Sequence, residues 1–127
     1  MFNGIHHVAI ICSDYQRSKY FYSQILKLEI INETYRAQRQ SYKLDLRLPD
    51  NSQVELFSFP DAPKRPSYPE AQGLRHLAFS VDDVESVAAY LIEHNIEVEA
   101  IRIDELTGKK FTFFCDPDGL PLELYQS

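Results

Sequence analysis

The chain has 127 residues, a length typical of one domain with a core of its own. Its formal net charge of −6 argues against a broad nucleic-acid surface. Its 44% hydrophobic and 25% charged residues are ordinary for a soluble globular protein. No apolar run approaches a membrane span, and the N-terminus lacks the layout of a signal peptide. We therefore expect a cytoplasmic protein that binds neither nucleic acid nor membrane.

The first half of the chain predicts the element order β-α-β-β-β. An apolar run opens it, and Ser13 or Asp14 follows at the place where a helix N-cap is expected. Helical spacing of apolar residues continues to about Leu26, and the later segments show the apolar runs and strict alternation that are typical of strands. The predicted strands cover residues 5–12, 28–34, 43–48 and 53–59.

The second half repeats the same order after a proline-rich connector. Prolines at every third position predict an extended connector over residues 61–72. Asp82 or Asp83 can then cap a second helix, and Asn95 can end it in the left-handed conformation. The predicted strands cover residues 74–81, 96–103, 111–115 and 120–125. We therefore expect a single domain, 1–127, made of module 1 (residues 4–60) and module 2 (residues 73–127).

Each module carries a histidine at its first strand and a glutamate within its last. The pairs are His7 with Glu55 and His76 with Glu123, at almost the same spacing. Strand alternation turns each of these side chains away from the helix-packing face, so all four can face one concavity formed by the two sheets. A single buried glutamate is usually paired with an arginine, but the recurrence of both residue types in two repeats favours a metal site. Two imidazoles and two carboxylates suit zinc, nickel or cobalt.

The whole chain resembles the vicinal oxygen chelate superfamily, whose members include glyoxalase I. The segments that carry the resemblance are His7-Val-Ala-Ile, residues 73–82 and residues 114–124. The resemblance implies an α+β fold in which two βαβββ modules form an open cup, the glyoxalase/bleomycin-resistance/dioxygenase-like fold. It also implies one metal ligand from each of four strand positions, which correspond to His7, Glu55, His76 and Glu123.

The chemistry implied by the resemblance is proton transfer next to a carbonyl. In glyoxalase I the glutamate at the last ligand position moves the proton, and this role maps to Glu123, with Glu55 as its counterpart on the other face of the substrate. We therefore expect a metal-dependent lyase or isomerase acting on a small oxygenated substrate. One alternative is a non-catalytic small-molecule binding module of the bleomycin-resistance kind. A dioxygenase is disfavoured, because family dioxygenases use two histidines and one carboxylate.

The resemblance weakens where the substrate would be recognised. Bacterial glyoxalase I places a glutathione-contacting arginine four positions after the first ligand and an asparagine four after the second, where this chain has Ile11 and Phe59. The sequence therefore indicates a relative of glyoxalase I rather than glyoxalase I itself. Several cationic side chains remain open as anchors for a carboxylate or phosphate. They are Arg36, Arg39, Arg75, Lys109 and Lys110.

The family architecture also implies a homodimer. One module supplies only two of the four ligands, so the halves must meet either within one chain or across a two-fold axis. The connector is long enough for both arrangements, and the sequence leaves the choice open.

Overall fold

The computed structural model describes all 127 residues of the chain. No helix in it is long and apolar enough to span a membrane. The regular elements in chain order are β1 His7–Cys12, α1 Tyr15–Tyr20, β2 Glu29–Arg36, β3 Ser41–Arg47, β4 Gln53–Ser58, β5 Leu77–Val81, α2 Val84–Glu93, β6 Arg102–Ile103, β7 Lys110–Cys115 and β8 Pro121–Gln126.

The chain divides into two compact units, Met1–Lys64 and Arg65–Ser127. Each unit holds one four-stranded mixed sheet, with strand order β1-β4-β3-β2 in the first and β5-β8-β7-β6 in the second. In both sheets the first strand pairs in parallel with the last, and the other pairings are antiparallel. The βαβββ order predicted for each half is confirmed. That the two modules make one domain stays a prediction.

The first helical segment begins where the sequence predicts, as an α-helix, and ends as a π-helical turn. The Asp14 side chain accepts a hydrogen bond from the backbone N–H of Arg17 at 3.1 Å, as an N-cap does. After α1 the chain continues as a π-helical turn over Phe21–Ile25. This turn buries three apolar side chains against the sheet: Phe21, Tyr22 and Ile25. The predicted end near Leu26 is confirmed.

The second helix is capped at both ends by the residues the sequence indicates. Asp83 accepts hydrogen bonds from the backbone N–H groups of Glu85 and Ser86, at 3.0 and 3.4 Å. Asn95 has a φ of 64°, the left-handed conformation that terminates a helix. The face turned to the sheet buries Val84, Ala88 and Leu91.

The core of each unit lies between the helix and one face of its sheet. Alternation along the strands fills that face with side chains that are at most 3% exposed. They are Leu44, Leu46, Val54 and Leu56 in the first unit, and Thr112, Phe114, Leu122 and Leu124 in the second. The opposite faces carry the predicted histidines and glutamates.

The predicted strand over residues 96–103 is wrong for all but its last two residues, Arg102–Ile103. The reason lies at Glu99. Its backbone N–H donates to the Phe113 carbonyl at 3.0 Å, but its carbonyl accepts from the Thr112 hydroxyl at 2.7 Å. A side-chain hydroxyl thus takes the place of a ladder N–H, and regular pairing with β7 begins only at Arg102, which lies opposite Phe111. The strand predicted over 74–81 is likewise shorter and begins at Leu77.

Candidate metal centre

In the first unit the parallel pairing of β1 and β4 brings His7 beside Glu55. Ala9 lies opposite Glu55 in the register, and His7 lies two residues earlier on the same face. The His7 Nδ1 atom is 3.5 Å from Glu55 Oε2. The Glu55 side chain is 12% exposed and the His7 side chain 42%. The carboxylate is therefore largely shielded from water, while the imidazole remains accessible to a ligand.

The second unit repeats this arrangement with His76 and Glu123. Ala78 lies opposite Glu123 in the parallel pairing of β5 and β8, and His76 precedes the strand on the same face. The distance from His76 Nε2 to Glu123 Oε2 is 3.8 Å, and these side chains are 27% and 13% exposed. The ring edge of Phe113 packs against His76, with centroids 5.1 Å apart. This contact limits rotation of the imidazole.

The donor types and their spacing fit a divalent metal ion. Separations of 3.5 and 3.8 Å between nitrogen and oxygen are longer than a hydrogen bond. Two donors about 2.1 Å from one zinc ion at a tetrahedral angle would lie about 3.4 Å apart. The structure thus brings each predicted histidine to its glutamate. No group of three or more His, Cys, Asp or Glu side chains that could hold a metal is present, and the four-ligand set stays a prediction.

Lys43 and Asp45 lie beside Glu55, a feature that the sequence analysis missed. Asp45 is directly opposite Glu55 in the antiparallel pairing of β3 and β4. The Lys43 ammonium is 3.0 Å from Asp45 Oδ1 and 3.8 Å from Glu55 Oε1. The shorter contact is an ion pair without the alignment of a hydrogen bond, because Asp45 Oδ1 is buried with no hydrogen-bond partner. One ammonium therefore partly neutralises two carboxylates.

The corresponding positions of the second sheet are aromatic. Phe113 lies opposite Glu123, where the first sheet has Asp45 opposite Glu55. Phe111 occupies the place that corresponds to Lys43. The only ion-pair partner of Glu123 is His76. The two glutamates thus have matching backbone positions and different neighbours, one charged and one apolar.

The signal for Lys43 and Asp45 is present in the chain. The alternation Lys43-Leu-Asp-Leu-Arg-Leu shows that Lys43 and Asp45 share one face of a strand. Which glutamate they approach depends on the register between β3 and β4. That register is a non-local property, and the alternation alone does not contain it.

A cavity of about 580 Å³ in the second unit adjoins His76 and Glu123. Its apolar wall is formed by Phe111, Phe113 and Phe114. The free thiol of Cys115 also lines it. Burial and the nearby Asp116 carboxylate raise the pKa of Cys115, which keeps the sulfur protonated and disfavours it as a nucleophile.

Residues 4–124 match the family model of the Glyoxalase/Bleomycin resistance protein/Dioxygenase superfamily. The chain belongs to this superfamily. The match spans both units and all four predicted ligand positions, and the α+β fold of two mixed four-stranded sheets is the fold of the superfamily.

Two sequence relatives and one solved structure show what the chain is similar to. YwkD of Bacillus subtilis (strain 168) is 58% identical over 126 residues, which is 99% of this chain and 98% of that protein. The glyoxalase family protein from Enterococcus faecalis has a crystal structure with a TM-score of 0.91 and 53% identity, covering 98% of each chain. The metallothiol transferase FosB of Staphylococcus saprophyticus is 30% identical over 129 residues, covering 98% of this chain and 78% of FosB.

Proposed function

We propose that the protein is a metal-dependent lyase or isomerase that moves a proton next to a carbonyl of a small oxygenated substrate. The observation that carries the proposal is the repeated pairing of a histidine with a shielded glutamate, at 3.5 Å in one unit and 3.8 Å in the other. His7, Glu55, His76 and Glu123 would together hold one divalent ion, with zinc, nickel and cobalt as candidates. The superfamily is named for glyoxalases and dioxygenases, which are enzymes, and also for bleomycin resistance proteins, which correspond to the alternative of a binding module.

The metal and the glutamates have separate parts in the proposed reaction. A divalent ion held by His7, Glu55, His76 and Glu123 would supply Lewis-acid chemistry at the substrate's carbonyl oxygen, which would make the neighbouring C–H more acidic. Glu123 then takes the proton from one carbon through a carboxylate oxygen and returns it to the other. With no ammonium or guanidinium paired to it, Glu123 is free to change partners during the transfer.

Glu55 is the counterpart of Glu123 on the other face of the substrate. Lys43, held in turn by Asp45, partly neutralises its carboxylate. Phe113 lies opposite Glu123, so no cation on the neighbouring strand competes for the carboxylate that transfers the proton. We therefore assign the principal proton transfer to Glu123 and a supporting role to Glu55.

The metal content of the purified protein tests the site directly. After incubation with zinc or nickel and removal of the excess, native mass spectrometry should find about one tightly bound ion per complete four-ligand set, and little in His76→Ala. His94→Ala is the matched control, because His94 hydrogen-bonds the Tyr90 carbonyl near the end of α2 and should leave the metal content unchanged. Wild type without retained metal would contradict the mechanism and favour a non-catalytic binding module.

The reaction class has its own test. Exchange of solvent deuterium into the C–H next to the carbonyl of hydroxyacetone and related hydroxyketones can be followed by NMR. Exchange that needs both the metal and Glu123 supports a lyase or isomerase. Iron-dependent oxygen consumption without such exchange would point instead to a dioxygenase.

We also propose a homodimer, in which the four ligands come either from one chain or from two. Mixing His7→Ala with His76→Ala after unfolding distinguishes these arrangements. A shared site gives each heterodimer one intact ligand set of two, so about half of the metal capacity returns in the isolated heterodimer and about a quarter in a random mixture. No recovery in an isolated heterodimer would place all four ligands within one chain.

A further inference from the structure

Two arginines of the first unit lie over two phenylalanine rings, on the same sheet face as Glu55. The Cζ atom of Arg36 is 5.3 Å from the ring centroid of Phe57, and that of Arg39 is 5.0 Å from the ring centroid of Phe59. The two rings are stacked almost parallel, with centroids 6.0 Å apart and an interplanar angle of 4°. We call these four residues the arginine–phenylalanine shelf.

The local backbone holds the shelf in position. Arg36 ends β2, and Ala37–Arg39 form a single 3₁₀ turn. Gln40 closes this turn in the left-handed conformation, with its N–H donating to the Ala37 carbonyl at 3.2 Å. Both guanidiniums are thus fixed by a short turn and by cation–π contact. An ordered pair of cations loses little conformational entropy when it binds a ligand.

Neither shelf arginine forms an ion pair within the chain. The Arg36 Nη2 atom reaches only the Ser41 hydroxyl, at 3.5 Å, and its buried Nε has no hydrogen-bond partner. Arg39 has no side-chain hydrogen-bond partner, and its guanidinium contacts the ring of Phe59. A buried donor without a partner, such as Arg36 Nε, is uncommon in proteins and calls for an explanation, while the Arg39 guanidinium is exposed and open to a ligand.

Of the three other candidate cations, Arg75 and Lys110 are engaged elsewhere, and Lys109 lies over no aromatic ring. Arg75 is paired with Glu70, and Lys110 with Glu85. Arg102 lies over Phe111 and Phe113 in the same manner as the shelf arginines, but its Nη2 atom is 3.1 Å from Glu99. Lys109 is exposed in the turn before β7. The structure therefore selects Arg36 and Arg39 from the five cations that the sequence left open.

From these observations we infer that the arginine–phenylalanine shelf binds the anionic end of the substrate, a carboxylate or a phosphate. The inference rests on the proposed function for the identity of the other end, the carbonyl near Glu55. Phe57 follows Glu55 by two residues and Phe59 by four, which places the shelf about 7–13 Å from Glu55 along the strand. The substrate class is thus a small carbonyl compound with a carboxylate or phosphate several bonds from the reacting carbons.

The side chains of Arg36 and Arg39 can be tested without any turnover. Their Nε–H signals in a ¹H–¹⁵N NMR spectrum, assigned with Arg36→Gln and Arg39→Gln, report on anions that contact each guanidinium. The probes are succinate, 3-phosphonopropionate and the neutral succinamide, which share one carbon chain. We expect saturable shifts of both signals with the two anions and none with succinamide. The more tightly bound anion tells whether the natural group is a carboxylate or a phosphate.

The variants make the assignment specific. Arg36→Gln and Arg39→Gln should each weaken binding by about tenfold or more, the scale of one charge-assisted hydrogen bond. Arg36→Lys should retain part of the affinity, because it keeps the charge and loses the two-pronged geometry. Arg102→Gln is the matched control, since it removes a stacked arginine that already has a carboxylate partner. It should leave binding unchanged.

Two results would overturn the inference: no saturable shift with either anion, or an equal loss of affinity in Arg102→Gln. Metal content measured on the same samples separates this outcome from failure of the proposed function. Anion binding at the shelf without retained metal would support the subsite and contradict the lyase. Retained metal without anion binding would contradict the subsite and leave the proposed metal site supported.

Discussion

Removing the ammonium of Lys43 should strengthen metal binding. This ammonium lies 3.8 Å from Glu55 Oε1, and a cation that binds Glu55 must compete with it. Two unit charges at that separation interact by about 1 kcal/mol in a water-like dielectric and by about 4 kcal/mol at an effective dielectric of 20. Lys43→Met should therefore bind zinc at least about fivefold more tightly than wild type, and more tightly still if the site is poorly hydrated.

A competition titration against a chromophoric zinc chelator measures this change. Lys43→Gln repeats the substitution with a polar side chain, and Lys19→Met is the control, since Lys19 pairs with Glu33 rather than with a predicted ligand. A second readout is thermal unfolding. Without metal, Lys43→Met should be less stable than wild type, because Asp45 and Glu55 lose their shared cation, and zinc should raise its melting temperature more. Unchanged or weaker zinc binding in both Lys43 variants would refute the reasoning.

Three further predictions concern stability. Leu56→Ala, at a fully buried position of β4, should lower the free energy of unfolding by about 2–5 kcal/mol in urea denaturation. Asp116→Ala should lower it by about 1–3 kcal/mol, because the buried Leu120 N–H loses the acceptor that now lies at 3.0 Å; an unchanged urea midpoint would disprove this role. The hydrogen bond from Lys19 lowers the pKa of Glu33, so the stabilisation by Glu33 is present above the unfolded pKa and is lost as the pH falls through the folded one. Glu33→Gln should therefore be less stable than wild type at pH 7, by a difference that disappears in acid.

Local patterns in the sequence were sufficient for the elements and for the two His–Glu pairs. A capping aspartate, helical spacing and strand alternation can each be recognised within a few residues of sequence. The helix α2 accordingly begins after Asp83 and ends before Asn95, as the sequence predicts. The pairing of His7 with Glu55 was predictable without a register, because the same two residue types recur at His76 and Glu123. Repetition within one chain thus supplied information that a single module does not contain.

What could not be predicted depends on contacts between distant segments. The strand expected over residues 96–103 has adequate β-propensity, but a hydroxyl on a neighbouring strand, that of Thr112, occupies the carbonyl of Glu99. The position of Lys43 beside Glu55 required the β3–β4 register. The choice of Arg36 and Arg39 among five cations required knowledge of the carboxylates that pair with Arg75 and Lys110, and of the rings that lie under the two arginines.

Asp45 and Phe113 occupy equivalent positions in the two sheets, and the difference between them has a stereochemical consequence. Two identical half-sites would present the same environment to either end of a substrate, and a molecule could bind in two opposite senses. A charged neighbour at Glu55 and an aromatic one at Glu123 remove that equivalence. In the proposed four-ligand site, the two glutamates would lie on opposite faces of the substrate, and this difference would leave Glu123 as the base on one face only. We expect the proton to be delivered to that face, giving a single enantiomer of the product.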